Sequence, residues 1–184
     1  GDTEVFPVGD GHVIFLHRTE DDTVLVGTES GLYRFDTETG QAVELQLLES
    51  DGTDQTKPVV WDLLETRNGD TWLATMHHGL FVSRDEGPKA ISDRSFIPIP
   101  ESAKLCSTAY AIEVDSEGYI WCSTNSALVR FHPISHETQV FSKSHGLQIS
   151  EFDFGASHKD KDGYLYFGGS EGYVKFDPRE INSI

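Results

Sequence analysis

The stretch Tyr110-Ala111-Ile112-Glu113-Val114-Asp115-Ser116-Glu117-Gly118-Tyr119-Ile120-Trp121-Cys122-Ser123-Thr124-Asn125-Ser126-Ala127-Leu128-Val129-Arg130-Phe131 decides the fold. Apolar and polar side chains alternate as far as Val114, the period of a half-buried strand. Asp115–Gly118 reads as a tight turn, because glycine accepts backbone conformations that other residues avoid. Tyr119–Ser123 is the returning strand, and Leu128–Phe131 follows a short loop as a third. Pairing Tyr110–Val114 with Tyr119–Ser123 across four turn residues sets Cys122 opposite Ala111.

The same pattern occurs four times. Aligned on the residue before the third strand, Gly31, Gly79, Ala127 and Gly172 stand 48, 48 and 45 residues apart. Three turns read Gly-x-x-aromatic: Gly69 to Trp72, Gly118 to Trp121 and Gly163 to Tyr166. The first copy has Asp22 and Leu25 at these two places. A fourth strand is expected at Ala42–Leu48, at Phe96–Ile99 and at Thr138–Phe141, and none follows Phe176. Near the N-terminus, Thr3-Glu4-Val5-Phe6 with Gly11 matches Thr138-Gln139-Val140-Phe141 with Gly146.

Four short strands per unit, repeated every 40–50 residues, are the signature of propeller blades. The sequence therefore predicts an all-β chain: a β-propeller of four blades, each a four-stranded antiparallel sheet. The expected blades cover about 12–50, 58–100, 108–145 and 151–178. Residues 3–8 would be an orphan outer strand that completes a blade and covers its edge. No helical period is sustained, and one short helical turn is expected near Pro178–Asn182.

Composition narrows the partners. A net charge of −17 over 184 residues repels nucleic acid and anionic membrane surfaces. No run of about 18 apolar residues is present, so no segment reads as a membrane span. Cys106 and Cys122 leave two readings open, a bridge or small buried hydrophobes.

The pattern of apolar strand, Asp-x-x-Gly-x-x-Trp, small-Thr and Gly-Leu-x-x-Phe resembles the two-component regulator propeller repeat. Ala109–Phe131 and Val60–Phe81 fit it, the second with one extra residue at Met76–His78. Glu151 to Pro178 resembles the family's final blade, which precedes an immunoglobulin-like three-Y domain. The resemblance implies the periplasmic sensor region of a membrane-bound bacterial signalling protein, a hybrid histidine kinase or a diguanylate cyclase. It also implies a fragment of a larger propeller, whose ligands in the family are most often glycan fragments.

Other constellations read as architecture. Asp160-Lys161-Asp162-Gly163 lacks the spaced oxygen ligands of a calcium loop and matches a turn. The Gly-x-x-aromatic turns are similar to the structural Asp-box of sialidases, but the arginine cluster and Tyr–Glu pair of such an enzyme are missing. His77 and His78 are adjacent, so on extended backbone they point apart. His132 and His136 have no third ligand in view. No nucleophile elbow, phosphate loop or paired carboxylate stands out, so the expectation is no catalytic residue, no metal and no cofactor.

The functional candidates lie at the leading ends of the inner strands. Eight residues before each turn position stand Ile14, Trp61, Tyr110 and Gly155. Trp61 and Tyr110 would offer a stacking surface for a sugar ring, with Asp62, Asp153 and His12 as polar neighbours; alternatively the two aromatics pack between blades. The expected function is a non-catalytic sensory, ligand-binding segment for a carbohydrate or other small extracytoplasmic ligand. The alternatives are a structural or dimerisation scaffold and, third, a propeller glycosidase or lyase. Self-association as a dimer is expected, because a partial ring leaves apolar faces uncovered.

Overall fold

The computed structural model of the chain describes residues 3–19, 22–49, 55–84, 94–149 and 151–181. Four antiparallel sheets follow one another along the chain. Blade 1 holds β1 (Val13–Arg18), β2 (Val24–Thr28), β3 (Gly31–Asp36) and β4 (Gln41–Glu44), and blade 2 holds β5 (Val60–Glu65), β6 (Thr71–Thr75), β7 (Gly79–Ser83) and β8 (Ile97–Pro98). Blade 3 holds β9 (Ala111–Val114), β10 (Ile120–Ser123), β11 (Leu128–Phe131) and β12 (Thr138–Phe141), and blade 4 holds β13 (Phe152–Lys159), β14 (Leu165–Gly169) and β15 (Gly172–Phe176). The expected turn after Phe176 is a 3-10 turn at Pro178–Glu180. A six-residue helix, α1 (Pro100–Leu105), is an element that the strand pattern did not predict. Pro at its first turn is the signal that marks it.

Burial explains the sheets. Every residue of β6, β7, β10 and β11 is buried, because these middle strands have a blade on either side. Three apolar cores do this. One joins blades 1 and 2 through Leu25, Leu47, Leu73 and Phe96. The second joins blades 2 and 3 around Trp72, Leu80 and Ile120, and the third joins blades 3 and 4 around Trp121, Phe152 and Phe167. Each buried tryptophan contributes about 4–6 kcal/mol of gross burial free energy. Among the described residues no such core joins blade 4 to blade 1, so the blades form an open arc.

The repeated turn has a common fastener. The Asp115 carboxylate accepts hydrogen bonds from the amides of Glu117 (2.9 Å) and Tyr119 (3.0 Å) and from Trp121 Nε1 (2.9 Å). Asp160 does the same for the amides of Asp162 and Tyr164 and for the Tyr166 hydroxyl. In blades 3 and 4 the first residue of the motif therefore locks both the turn and the aromatic of the returning strand, while in blades 1 and 2 Thr19 and Thr66 hold the turn through the Thr23 and Asp70 carbonyls. These bonds also fix the register. The turn takes five residues, Ile120 pairs with Val114, and Cys122 faces Ile112 while Ser123 faces Ala111. Cys106 and Cys122 are free, buried neighbours in the core of blades 2 and 3.

Two expectations about strand four change. The sheet of blade 4 has three strands among the described residues, and residues 3–8 belong to no sheet. Gly9 and Gly11, at φ 57° and 102°, turn the chain, and Phe6 packs edge-on against Phe35 of blade 1 with ring centroids 5.4 Å apart. In blade 1 the fourth strand stops at Glu44, because Leu47 leaves the sheet to bridge Phe96 of blade 2 in parallel.

Candidate functional site

The inner strands β1, β5 and β13 each carry a turn-distal irregularity in the ladder, while Tyr110 directly precedes the regular strand β9. In β5, Val60 pairs with Thr75 and Asp62 with Ala74, so Trp61 is a bulge residue. Ile14 is the corresponding bulge in β1, and the ladder of β13 slips between Phe152 and Ser157, around Gly155 at φ 63°. A bulge re-aims a side chain out of the pleat. Here it turns Trp61 onto Tyr110, with ring centroids 4.7 Å apart, and onto Phe154, stacked at 5.8 Å. The amide of Gly155 donates to the Tyr110 carbonyl at 2.9 Å, which holds blade 4 against this cluster. Trp61 and Tyr110 are half-buried, and Phe154 is 58% exposed. The two sequence-level alternatives therefore merge: the aromatics pack between blades and still present an open edge.

A polar layer adjoins the cluster. Asp62 Oδ2 accepts from the Ile112 amide at 2.9 Å, and Oδ1 accepts from the Leu63 amide at 2.9 Å. Ser157 Oγ donates to the Ile112 carbonyl at 3.3 Å, and Lys159 Nζ to the Val114 carbonyl at 2.8 Å. Asp62 thus clasps blade 2 to blade 3. Burial pushes its carboxyl up to about 6, outweighing these hydrogen bonds. Glu113 rises further, to about 7, because burial is joined by the negative charge of Asp62, with Lys159 pulling the other way. Two carboxyls that resist ionisation side by side make this layer sensitive to protonation near neutrality.

The other predicted members lie elsewhere. His12 is exposed and pairs through Nδ1 with Glu29 Oε1 at 3.2 Å on blade 1. Asp153 is exposed, as its place one step along the β13 pleat from Phe154 requires. Among the described residues, the aromatic cluster is Trp61, Tyr110 and Phe154, and His12 bonds to Glu29 instead. Phe154, Glu113 and Ser157 were not legible as site residues. Alignment by turn spacing places Gly155 opposite Trp61, and a slipped ladder hides the aromatic one residue earlier. Among the described residues, no three His, Cys, Asp or Glu side chains converge as a metal would need, and no helix is long and apolar enough to cross a membrane.

Four-stranded blades packed face to face around inner strands define a β-propeller segment. Solved structures share this architecture. The extracellular domain of BT4673, described as a hybrid two-component system protein of B. thetaiotaomicron, superposes with a TM-score of 0.72 at 18% identity, over 92% of this chain and 23% of its own length. The extracellular domain of BT3049 from the same organism gives 0.65 at 20% identity, with the same two coverages. Virginiamycin B lyase from Staphylococcus aureus gives 0.60 at 19% identity, over 94% and 57%. In sequence, Histidine kinase P4 of Formosa agariphila is 23% identical over 86 residues, 47% of this chain and 6% of the kinase. No family model matches the chain. The chain spans under a quarter of each of the two extracellular domains and a small part of the kinase. At these identities the likeness establishes the fold, and a lyase among the neighbours means that the fold alone does not decide catalysis.

Proposed function

We propose that this chain is a sensory, ligand-binding propeller segment of a bacterial two-component-type signalling protein, acting outside the cytoplasm and without catalysis of its own. The observation that carries the reading is the half-open stack of Trp61, Tyr110 and Phe154 above the protonation-sensitive Asp62–Glu113 layer. The exposed ring of Phe154 would offer a face for the apolar side of a sugar ring. The likeness to extracellular sensor domains and to a histidine kinase supports the signalling context. Binding would shift the packing of blades 2, 3 and 4 and pass that change to an output domain, a kinase or cyclase beyond a three-Y domain.

Calorimetric titration with a panel of neutral and acidic oligosaccharides tests the ligand class. Saturable heat with one class, weakened about five- to tenfold by Phe154→Ala, supports it, since one lost stacking contact is worth about 1–1.5 kcal/mol. Silence across the panel, for a folded protein, would remove carbohydrate as the ligand.

A second reading has its own support. Leu16 and Tyr173, on the first and last blades, are 70% and 69% exposed, as the ends of a packing segment would be. On that reading the chain is a structural scaffold, and ligand binding would be indifferent to Trp61→Ala and Tyr110→Ala.

A further inference from the structure

We propose that His77, set beside the Trp61–Tyr110 stack by a one-residue insertion, donates a hydrogen bond to the ligand of that site and selects an oligosaccharide over a single sugar ring. The inference rests on the ligand-binding reading above. In three blades a threonine closes the loop between the second and third strands. Thr28 Oγ1 donates to the Gly31 carbonyl at 3.0 Å, Thr75 Oγ1 to that of Gly79 at 2.7 Å and Thr124 Oγ1 to that of Ala127 at 3.1 Å. The clasp of blade 2 spans one residue more than the other two. His77 lies in that longer loop at φ 67°, a left-handed conformation that is costly for a residue with a Cβ. It is exposed and packs no core, and strain held at such a position points to a function.

Backbone hydrogen bonds place the loop. The Met76 amide donates to the Val59 carbonyl at 3.0 Å, the Gly79 amide to the Ser107 carbonyl at 2.9 Å and the Ala109 amide to the Thr75 carbonyl at 3.0 Å. The loop therefore bridges the segment that enters β5, two residues before Trp61, and the segment that leads directly into Tyr110. The two adjacent histidines then differ. Both ring nitrogens of His78 are engaged, Nδ1 with the Met76 carbonyl at 3.0 Å and Nε2 with Thr56 Oγ1 at 3.3 Å. In His77 only Nδ1 is. Thr108 Oγ1 accepts the His77 amide at 3.3 Å and lies 3.4 Å from Nδ1. With the hydroxyl donating to Nδ1, the ring proton sits on Nε2, which has no hydrogen-bond partner among the described residues. Thr108 thus orients an imidazole whose N–H faces water. In the stack, Trp61 lies between Tyr110 and Phe154, so His77 stands at the Tyr110 end and the exposed Phe154 ring at the other. A sugar ring resting on Phe154 is separated from Tyr110 by the indole. A chain of two or more rings, with a hydroxyl or ring oxygen as acceptor at its far end, meets both.

The experiment titrates the whole chain calorimetrically with neutral glucose and mannose oligosaccharides of increasing length, beginning with the free sugars. The wild type is expected to bind the longer members of one series more tightly than the single sugar. His77→Gly should remove about three- to tenfold of that gain, the share of one hydrogen bond, and leave the single sugar unaffected. Its melting temperature should be unchanged or higher, because glycine relieves the left-handed backbone. His77→Gln, which can carry an N–H near the position of Nε2, should restore part of the preference for length. Phe154→Ala should weaken every member of the series. Binding that Phe154→Ala weakens and His77→Gly leaves unchanged, or weakens equally at every length, overturns this inference alone. Silence of the folded wild type across both series removes the carbohydrate reading and this inference with it.

Discussion

At the scale of single residues, one carboxylate does the work of a turn and of a core contact together. Asp115 takes two amides of its turn and the indole N–H of Trp121, and it lies 3.8 Å from Arg130 Nε, a guanidinium that stacks over Tyr119 at 3.7 Å. Trp121 is fully buried, so losing the acceptor strands a donor away from water. Asp115→Ala is therefore expected to cost about 2–4 kcal/mol, read by urea denaturation, and Asp115→Asn about half as much. The first blade shows the converse. Asp22 sits at φ 67°, where the other turns place Gly69, Gly118 and Gly163 at 84°, 88° and 90°. Asp22→Gly should stabilise the chain by about 0.5 kcal/mol, because relief of the left-handed backbone exceeds the loss of an exposed ion pair with Arg18. An unchanged or lower melting midpoint would count against that account.

At the scale of elements, the inner strands carry the site, and their bulges decide what it contains. The turn chemistry of the repeats was legible in the sequence because Gly, Asp and aromatic residues recur at fixed offsets. That was enough to place Trp61 and Tyr110 near one another. It was not enough to find Phe154, since an inserted residue leaves the alternation intact on both sides while shifting the partner across the ladder. Nor could spacing show that Asp62 would point between blades to the Ile112 amide, a contact across 50 positions. The strand expected at residues 3–8 has a similar origin: sequence likeness marks Thr3–Phe6 as strand-like, yet among the described residues it joins no sheet.

The same elements predict a pH dependence. Glu113 and Asp62 have folded-state pKa values of about 7 and about 6, above the ordinary carboxyl range. A raised carboxyl pKa means that the folded chain holds its proton longer than the unfolded chain, so stability falls as pH rises from about 4 to about 7. The carboxylates of Glu29, Asp36, Asp160 and Asp177 are shifted downward by hydrogen bonds and act only below that window. The chain should melt at a higher temperature at pH 5.5 than at pH 8. Glu113→Gln should flatten that difference and add on the order of 1–2 kcal/mol at pH 8, allowing for solvent screening of a half-buried group. A wild-type profile that rises toward pH 8 would contradict the burial argument.

At the scale of the whole molecule, three apolar cores join the four blades among the described residues. The aromatic cluster lies where the inner strands of blades 2, 3 and 4 meet. That position makes the site a reporter of blade packing. Trp61 touches the last three blades through Tyr110 and Phe154, so an occupant would bias how they sit together. Trp72 and Trp121 are buried in the blade cores, which leaves Trp61 as the accessible indole of the three. The most direct measurement is therefore intrinsic tryptophan emission during titration with the oligosaccharide panel, with Trp61→Phe as the control. The account predicts a saturable change in intensity or wavelength with one sugar class, protection of Trp61 from a soluble quencher, and loss of the signal in Trp61→Phe. Saturable binding by calorimetry that leaves Trp61 emission and quenching unchanged would place the ligand elsewhere and contradict the account.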